Sequence, residues 1–178
     1  YAIFQELRWP TLRTPNELGS LLNLNSPIFC PLRVICPTLQ KLLDVRLQVG
    51  LRNTGHVLAK LINPASSNTW QISNYTHPEY PEKLKEYFQY QSANVILMRG
   101  SEGEPTASLQ RLPEMHFLFS NKNEKSSAEE KYVEPNPFDQ IDAKATALVT
   151  KNILSGRVPC PTPILKQANT ISSMLGII

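Results

Sequence analysis

The chain has 178 residues, 41% of them hydrophobic and 19% charged, which is the composition of an ordinary globular domain. No apolar run approaches the roughly 20 residues of a membrane helix, so we expect a cytoplasmic protein with no membrane partner. Its three cysteines show no CxxC spacing, which argues against a zinc site and a disulfide framework.

Charge is distributed unevenly along the chain. Residues 1–63 carry seven Lys or Arg against three acids, and residues 143–178 carry four bases and no acid. Residues 100–142 carry nine acids against four bases. Such segregation predicts a basic face if the two outer blocks meet in the fold, and no patch if the blocks mix in space.

Hydrophobic periodicity and turn residues predict helices and strands. In chain order we expect helices over residues 2–8 and 14–23, a strand over 27–30, helices over 37–48 and 53–61, a strand over 70–75, a helix over 76–91, strands over 94–98 and 115–119, a helix over 139–155 and a last helix from Thr162. Capping boxes start the second and fifth helices, at Thr14 and Thr76. The polar segment 121–137 predicts a mobile loop.

The order of elements between residues 70 and 98 is strand, helix, strand, which is typical of a βαβ unit with parallel strands. We therefore predict an α/β fold, with a parallel or mixed sheet flanked by helices. Such sheets bind ligands at the carboxyl ends of their strands, so the turn after residue 98 is a candidate site.

Two segments carry a resemblance to a known family. The first runs from Gly50 to Pro64, and the second, Arg99-Gly-Ser-Glu-Gly-Glu104, follows some forty residues later. Together they resemble the anthranilate phosphoribosyltransferase family (glycosyl transferase family 3). The first segment lacks the internal Gly-Pro of the enzymes and the second is shortened, so the closer match is the bacterial DNA-binding branch.

The resemblance implies an architecture for the whole protein. Residues 1–178 would form the later part of the family's α/β domain, without its N-terminal helical domain. Since the first residue is Tyr1 rather than Met, we expect this chain to be part of a longer one. The relatives are homodimers, and a homodimer is expected for the full-length protein.

Four basic or potentially basic residues in and just before the first resembling segment indicate an anion-binding surface. Arg46 precedes Gly50 at the spacing of an enzyme arginine that contacts the acceptor carboxylate, and a guanidinium suits a phosphate equally well. Arg52, His56 and Lys60 follow at intervals of four, which places them on one side of a helix or its entry, where they could face phosphates. The alternatives are solvated Arg46 and Lys60 and a hydrogen-bonded, structural His56.

A second candidate site lies in the turn after residue 98. Arg99 could bind an anion there, and Glu102 and Glu104 could face Mg²⁺ through carboxylates two residues apart. In the enzymes the matching acids hold the metal that carries phosphoribosyl pyrophosphate. The alternative is an acidic surface turn, and no catalytic residue is assigned.

Two functions follow from these patterns. The first is a nucleic-acid-binding paralogue with little or no transferase activity, which binds single strands or binds without sequence specificity and needs no cofactor. The second is a Mg²⁺-dependent phosphoribosyltransferase that uses phosphoribosyl pyrophosphate and an aromatic acid such as anthranilate. The cationic stripe, the shortened acidic turn and the two basic blocks favour the first; a segment that only packs or dimerises is a third possibility.

Overall fold

The computed structural model describes residues 1–24, 26–65, 69–101, 103–120, 122–138 and 142–177. The α-helices are α1 (Ala2–Leu7), α2 (Leu18–Leu22), α3 (Leu32–Ile35), α4 (Pro37–Val49), α5 (Gly55–Leu58), α6 (Pro81–Tyr90), α7 (Ala143–Leu154) and α8 (Thr162–Met174). The strands are β1 (Trp70–Tyr75), β2 (Asn94–Arg99), β3 (Arg111–Leu112), β4 (Met115–Phe119), β5 (Lys122–Lys125) and β6 (Glu129–Glu130). Short 3₁₀ helices, Pro15–Glu17 and Ala59–Leu61, adjoin α2 and α5.

The chain divides into two compact units. That residues 1–178 form the later part of one α/β domain stays a prediction. The helical unit comprises Tyr1–Pro64 and Pro137–Pro159, with α1 to α5 and α7. The sheet unit comprises Ala65–Asn136 and Cys160–Ile178, with α6, α8 and the six strands. The division depends on contacts between segments far apart in the chain, which local sequence patterns do not report.

The sheet unit contains a four-stranded mixed sheet in the order β1-β2-β4-β5. Strands β1 and β2 are parallel, in register from Trp70 opposite Asn94 to Tyr75 opposite Arg99, and α6 connects them. Strand β4 is antiparallel to both β2 and β5, while β3 and β6 form a separate antiparallel pair. The predicted α/β fold with a parallel or mixed sheet is confirmed.

The core of the sheet unit lies on the two central strands. The four residues from Val95 to Met98 are fully buried, because helices cover both faces of the sheet. Ile96 and Met98 cluster with Phe117 against two isoleucines of α8. Helix α6 contacts β2 and β4 and buries Leu84 and Phe88. This explains why the continuous apolar run predicted its strand correctly.

Both predicted capping boxes are wrong in detail. Helix α6 begins at Pro81, four residues later than its predicted cap would place it, because the proline ring fixes a helical φ at the first position. At the other site Thr14 makes no side-chain capping bond. Instead, the Arg13 N–H donates to the Glu17 carboxylate at 3.2 Å.

Two predicted elements also differ from the structure. The strand expected over residues 27–30 is reduced to one parallel bridge between Thr11 and Phe29. The loop expected over 121–137 contains β5 and β6 among its described residues. All four β5 side chains are exposed and polar, so hairpin pairing to β4, and not burial, fixes that strand.

The helical unit is closed by α7, which packs on α1. Asp142 caps α7 by accepting a hydrogen bond from the Ala145 N–H at 2.8 Å, so the helix begins later than predicted. Ala147 is its buried residue, and the neighbouring Leu148 is 59% exposed. None of the helices in the described residues has the length and apolarity that crossing a membrane requires.

Candidate nucleic-acid interface

The predicted site residues divide between the two units. Arg46, Arg52, His56 and Lys60 lie in the helical unit, whereas Arg99 and Glu104 lie in the sheet unit. Glu102, the other predicted metal ligand, lies outside the described residues. The prediction therefore separates into two local sites.

Arg46 lies in the last turn of α4, with its side chain exposed. Gly50 ends the helix in the left-handed conformation, with φ at 75°, and its N–H donates to the Arg46 carbonyl at 2.8 Å. A cation at this position interacts favourably with the carbonyl end of the helix. Arg46 is thus stabilised where it stands and remains accessible to an anion.

A tight corner joins α4 to α5. The Asn53 Nδ2 group donates to the Leu42 carbonyl at 2.7 Å, and its Oδ1 accepts from the Gly55 N–H at 2.9 Å. A β-carbon on the buried Gly55 would lie 2.8 Å from Asn53 Oδ1 and 3.1 Å from side-chain carbons of Leu42 and Leu43. This corner determines where the chain places the exposed Arg52.

His56 is anchored to the same corner. Its Nδ1 lies 3.2 Å from the Asn53 carbonyl oxygen and 3.4 Å from the Asn53 main-chain nitrogen. Either tautomer therefore finds a partner: a protonated Nδ1 donates to the carbonyl, and a bare Nδ1 accepts from the N–H. The structural interpretation of His56 is supported for Nδ1, while Nε2 has no partner among the described residues.

The helix predicted over residues 53–61 consists of two short segments, with Arg52 at its entry. Arg52 precedes α5, which ends at Leu58, and Lys60 lies in the 3₁₀ helix Ala59–Leu61. A 3₁₀ helix turns by about 120° per residue and an α-helix by about 100°. Viewed along the helix axis, the side-chain directions of His56 and Lys60 therefore differ by about 80°, compared with about 40° in a continuous α-helix. Lys60 is also half-buried and interacts with another group.

The wider surface of the helical unit is strongly basic. The unit has ten Lys and Arg against five Asp and Glu, a net charge of +5, whereas the sheet unit has eight against ten, a net charge of −2. Nine of the ten cations are exposed: Arg8, Arg13, Arg33, Lys41, Arg46, Arg52, Lys144, Lys151 and Arg157. Within the described part of the chain none of these nine forms an ion pair.

Part of this surface comes from a distant segment that sequence reasoning did not assign to the site. Helix α7 and the residues after it bring Lys144, Lys151 and Arg157 into the unit formed by the first 64 residues. The Lys151 ammonium donates to the Glu6 carbonyl of α1 at 3.1 Å. The two basic blocks of the sequence thus meet in part, since Lys166 belongs to the sheet unit.

The second local site is the turn after β2. Arg99, the last residue of β2, and Glu104 are both exposed. Ser101 and Glu104 exchange main-chain hydrogen bonds at 2.8 and 3.0 Å, which closes the turn. No group of three metal-binding side chains occurs in residues 1–24, 26–65, 69–101, 103–120, 122–138 and 142–177.

One residue beside this turn was not predicted from the sequence as a site residue. Asn74, near the end of β1, is 5% exposed, and its Nδ2 has no hydrogen-bond partner in the described structure. A β-carbon on Gly100 would lie 2.0 Å from that nitrogen, so only glycine fits beside it. The unpaired amide therefore lies against the turn at the carboxyl ends of the parallel strands.

Comparison with known proteins gives a partial match. No family model matches the chain. The chain is 37% identical over 110 residues to the uncharacterized protein YbiB of Escherichia coli (strain K12). The match covers 61% of this chain and 34% of YbiB, so it spans about a third of the length of that curated relative.

Proposed function

We propose that this chain binds nucleic acid through the helical unit, single-stranded or without sequence specificity, and has little or no transferase activity. The observation that carries the proposal is the set of nine exposed cations that form no ion pair with any described residue, in a unit of net charge +5. An unpaired surface cation can contact a phosphate without first breaking an ion pair. Displacement of counterions from the phosphates then provides affinity that does not depend on base sequence.

Arg46 and Arg52 are the first residues to test, because both are exposed and flank the α4–α5 corner. We expect the full-length protein to bind a short single-stranded oligodeoxythymidylate, with affinity falling steeply as salt rises. Arg46→Gln and Arg52→Gln should each reduce the slope of log K against log salt by about 0.7 per phosphate contact removed. Fluorescence anisotropy at four or more salt concentrations measures this slope.

The matched control is Lys83→Gln, an exposed lysine of α6 in the sheet unit. It removes the same charge from the other unit and should leave the slope unchanged. Binding with no dependence on salt, or equal effects of Lys83→Gln and Arg46→Gln, would contradict the proposal.

A phosphoribosyltransferase is the second candidate, and the unpaired Asn74 amide favours it. An N–H donor buried beside a glycine turn suits a phosphate oxygen better than a metal ion, since amide nitrogen does not bind Mg²⁺. Among the described residues Glu104 supplies an exposed carboxylate that would face Mg²⁺, which would bring the pyrophosphate group with it. Glu104 and Asn74 would then bind and orient phosphoribosyl pyrophosphate.

Incubation with phosphoribosyl pyrophosphate, anthranilate and Mg²⁺ separates the two candidates. Turnover that is lost in Glu104→Gln supports the enzyme, and anthranilate consumption no faster than in the protein-free control contradicts it for this acceptor. The homodimer expected for the full-length protein stays a prediction, which sedimentation measures.

A further inference from the structure

A cleft in the helical unit lies apart in sequence from the predicted site residues. It has a volume of about 600 Å³ and lies among α1, the segment that follows it and α3. We name it the arginine cleft, after the lining residues Tyr1, Gln5, Arg8, Trp9, Arg13 and Arg33. The volume is in the range of about 300–1,000 Å³ that is usual for small-molecule sites.

The electrostatics of the arginine cleft favour an anion. Three of its ten lining residues are arginines and none is acidic. The Glu17 carboxylate accepts the Arg13 main-chain N–H and forms no ion pair with a cleft guanidinium in the described structure. Guanidinium groups bind phosphate oxygens in pairs of parallel hydrogen bonds, so a cleft lined by arginines and no acid suits a phosphate.

The aromatic side of the arginine cleft is held in place. The Arg33 guanidinium lies 5.9 Å from the centre of the Tyr1 ring, and the Gln5 amide donates to the Tyr1 hydroxyl at 2.8 Å. Trp9 packs edge-on against Phe4, with ring centres 5.2 Å apart. The cleft thus combines cations with a fixed apolar wall, the pairing that recognises a phosphate attached to an aromatic ring.

Arg8 occupies a backbone conformation that suits glycine better than arginine. It ends α1 with φ at 57° and ψ at 31°, in the left-handed region, and its N–H donates to the Gln5 carbonyl at 3.0 Å. Left-handed conformations at residues other than glycine cluster at ligand sites. The chain keeps a large cationic side chain here in spite of the backbone strain.

We propose that the arginine cleft binds a nucleotide, with the phosphate on the guanidinium groups and the base against the apolar wall. Inorganic phosphate alone would leave most of the volume unfilled. The nucleotide has two possible sources, a free mononucleotide or one unit of a strand, which share this chemistry. Arg8, Arg13 and Arg33 belong to the nine exposed cations, so a cleft that binds one unit of a strand rests on the proposed function. The site uses neither Arg46 nor Arg52, so the two proposals can fail separately.

Calorimetric titration of the full-length protein with ADP, adenosine and inorganic phosphate tests the proposal. ADP should bind at least about tenfold more tightly than either part, because each part satisfies only one side of the cleft. Arg13→Gln and Arg33→Gln should each weaken ADP binding about tenfold, the loss expected for a hydrogen bond to a charged group. Lys83→Gln, which removes a charge from an exposed position of the sheet unit, should leave ADP binding unchanged.

The Arg8→Gly variant distinguishes loss of the binding site from loss of folding. It removes a guanidinium but relieves the backbone strain, so ADP affinity should fall while the melting temperature does not. If the oligodeoxythymidylate displaces ADP and Arg8→Gly weakens both, the ligand is a unit of a strand; if Arg8→Gly weakens ADP alone, it is a free nucleotide. Absence of ADP binding, or ADP binding that Arg8→Gly and Lys83→Gln affect equally, would overturn the proposal whatever the outcome for Arg46 and Arg52.

Discussion

His116, the second residue of β4, is a buried titratable side chain, and 4% of its surface is exposed. Its Nε2 lies 3.0 Å from a Glu114 carboxylate oxygen, and its Nδ1 lies 3.3 Å from the Asn123 side-chain oxygen. Burial lowers the pKa of His116, and the charge of Lys85 on α6 lowers it further, while Asn123 and Glu114 oppose the shift. The charge of Lys125 also lowers the pKa of His116, by the smallest amount of these groups.

The lowered pKa makes stability depend on pH. The unfolded chain takes up a proton on this imidazole near its ordinary pKa of about 6.5, whereas the folded chain resists protonation. Stability is therefore complete above that pH and is lost as pH falls below it, by at most about 1.4 kcal/mol per pH unit. Urea unfolding between pH 8 and pH 5 measures the loss.

His116→Gln is the control, since glutamine keeps a donor and an acceptor and cannot be charged. Its unfolding free energy should be flat between pH 7.5 and pH 5.5, whatever its absolute value. The carboxyl groups of Glu82, Glu129 and Glu134, whose pKa values are lowered by hydrogen bonds to Lys85, Lys166 and Thr162, lose their contribution only at more acidic pH. Equal slopes in the two proteins would show that His116 is not responsible.

The α4–α5 corner shows how one glycine positions a charged surface. Gly55 leaves room for Leu42 and Leu43, whose side-chain carbons would lie 3.1 Å from an added β-carbon, and Asn53 joins the two helices through its side-chain amide. Neither residue is charged, yet the position of Arg52 depends on both. We therefore expect changes at the corner to alter nucleic-acid binding with no change in net charge.

Gly55→Ala should lower the unfolding free energy by about 1–3 kcal/mol, because the added methyl group overpacks the corner. Affinity for the oligodeoxythymidylate should fall with it. Gly19→Ala is the matched control: Gly19 lies in α2 with nothing within 4 Å, so alanine there should stabilise by about 0.5–1 kcal/mol. A Gly55→Ala protein as stable as wild type would show that the corner can relax.

Comparison of the predicted with the observed helices and strands shows which sequence signals were sufficient to predict them. Helix α4 was predicted by its periodicity and by Gly50, and β2 by its continuous apolar run. Helix α6 was predicted at the wrong start, since the capping-box spacing at Thr76 competes with the proline at position 81 and the proline prevails. Strand β5 had no hydrophobic signal because it depends on pairing to β4 alone.

At the scale of the whole molecule, charge follows the division into units. The helical unit carries +5 and the sheet unit −2, although the two alternate along the chain. The sequence showed the basic blocks, but whether they meet depends on α7 packing against α1, a contact across more than a hundred residues. The same long-range pairing explains why Lys144 and Arg157 were not predicted as site residues.

Double substitution tests whether the distant segment shares in binding. Lys144→Gln with Arg157→Gln should lower the salt slope of oligonucleotide binding by about 0.7–1.8, the value for one or two phosphate contacts. Lys83→Gln with Lys122→Gln removes the same charge from exposed positions of the sheet unit and should leave the slope unchanged. Equal losses in both proteins would mean that net charge, and not the helical unit, governs binding.

Both units are discontinuous, and this has a consequence for synthesis on the ribosome. The helical unit needs residues 137–159, which follow the first part of the sheet unit, and the sheet unit needs residues 160–178, which follow the last part of the helical unit. Within residues 1–178, the cations of the first 64 residues therefore emerge well before α7 exists to pack on α1.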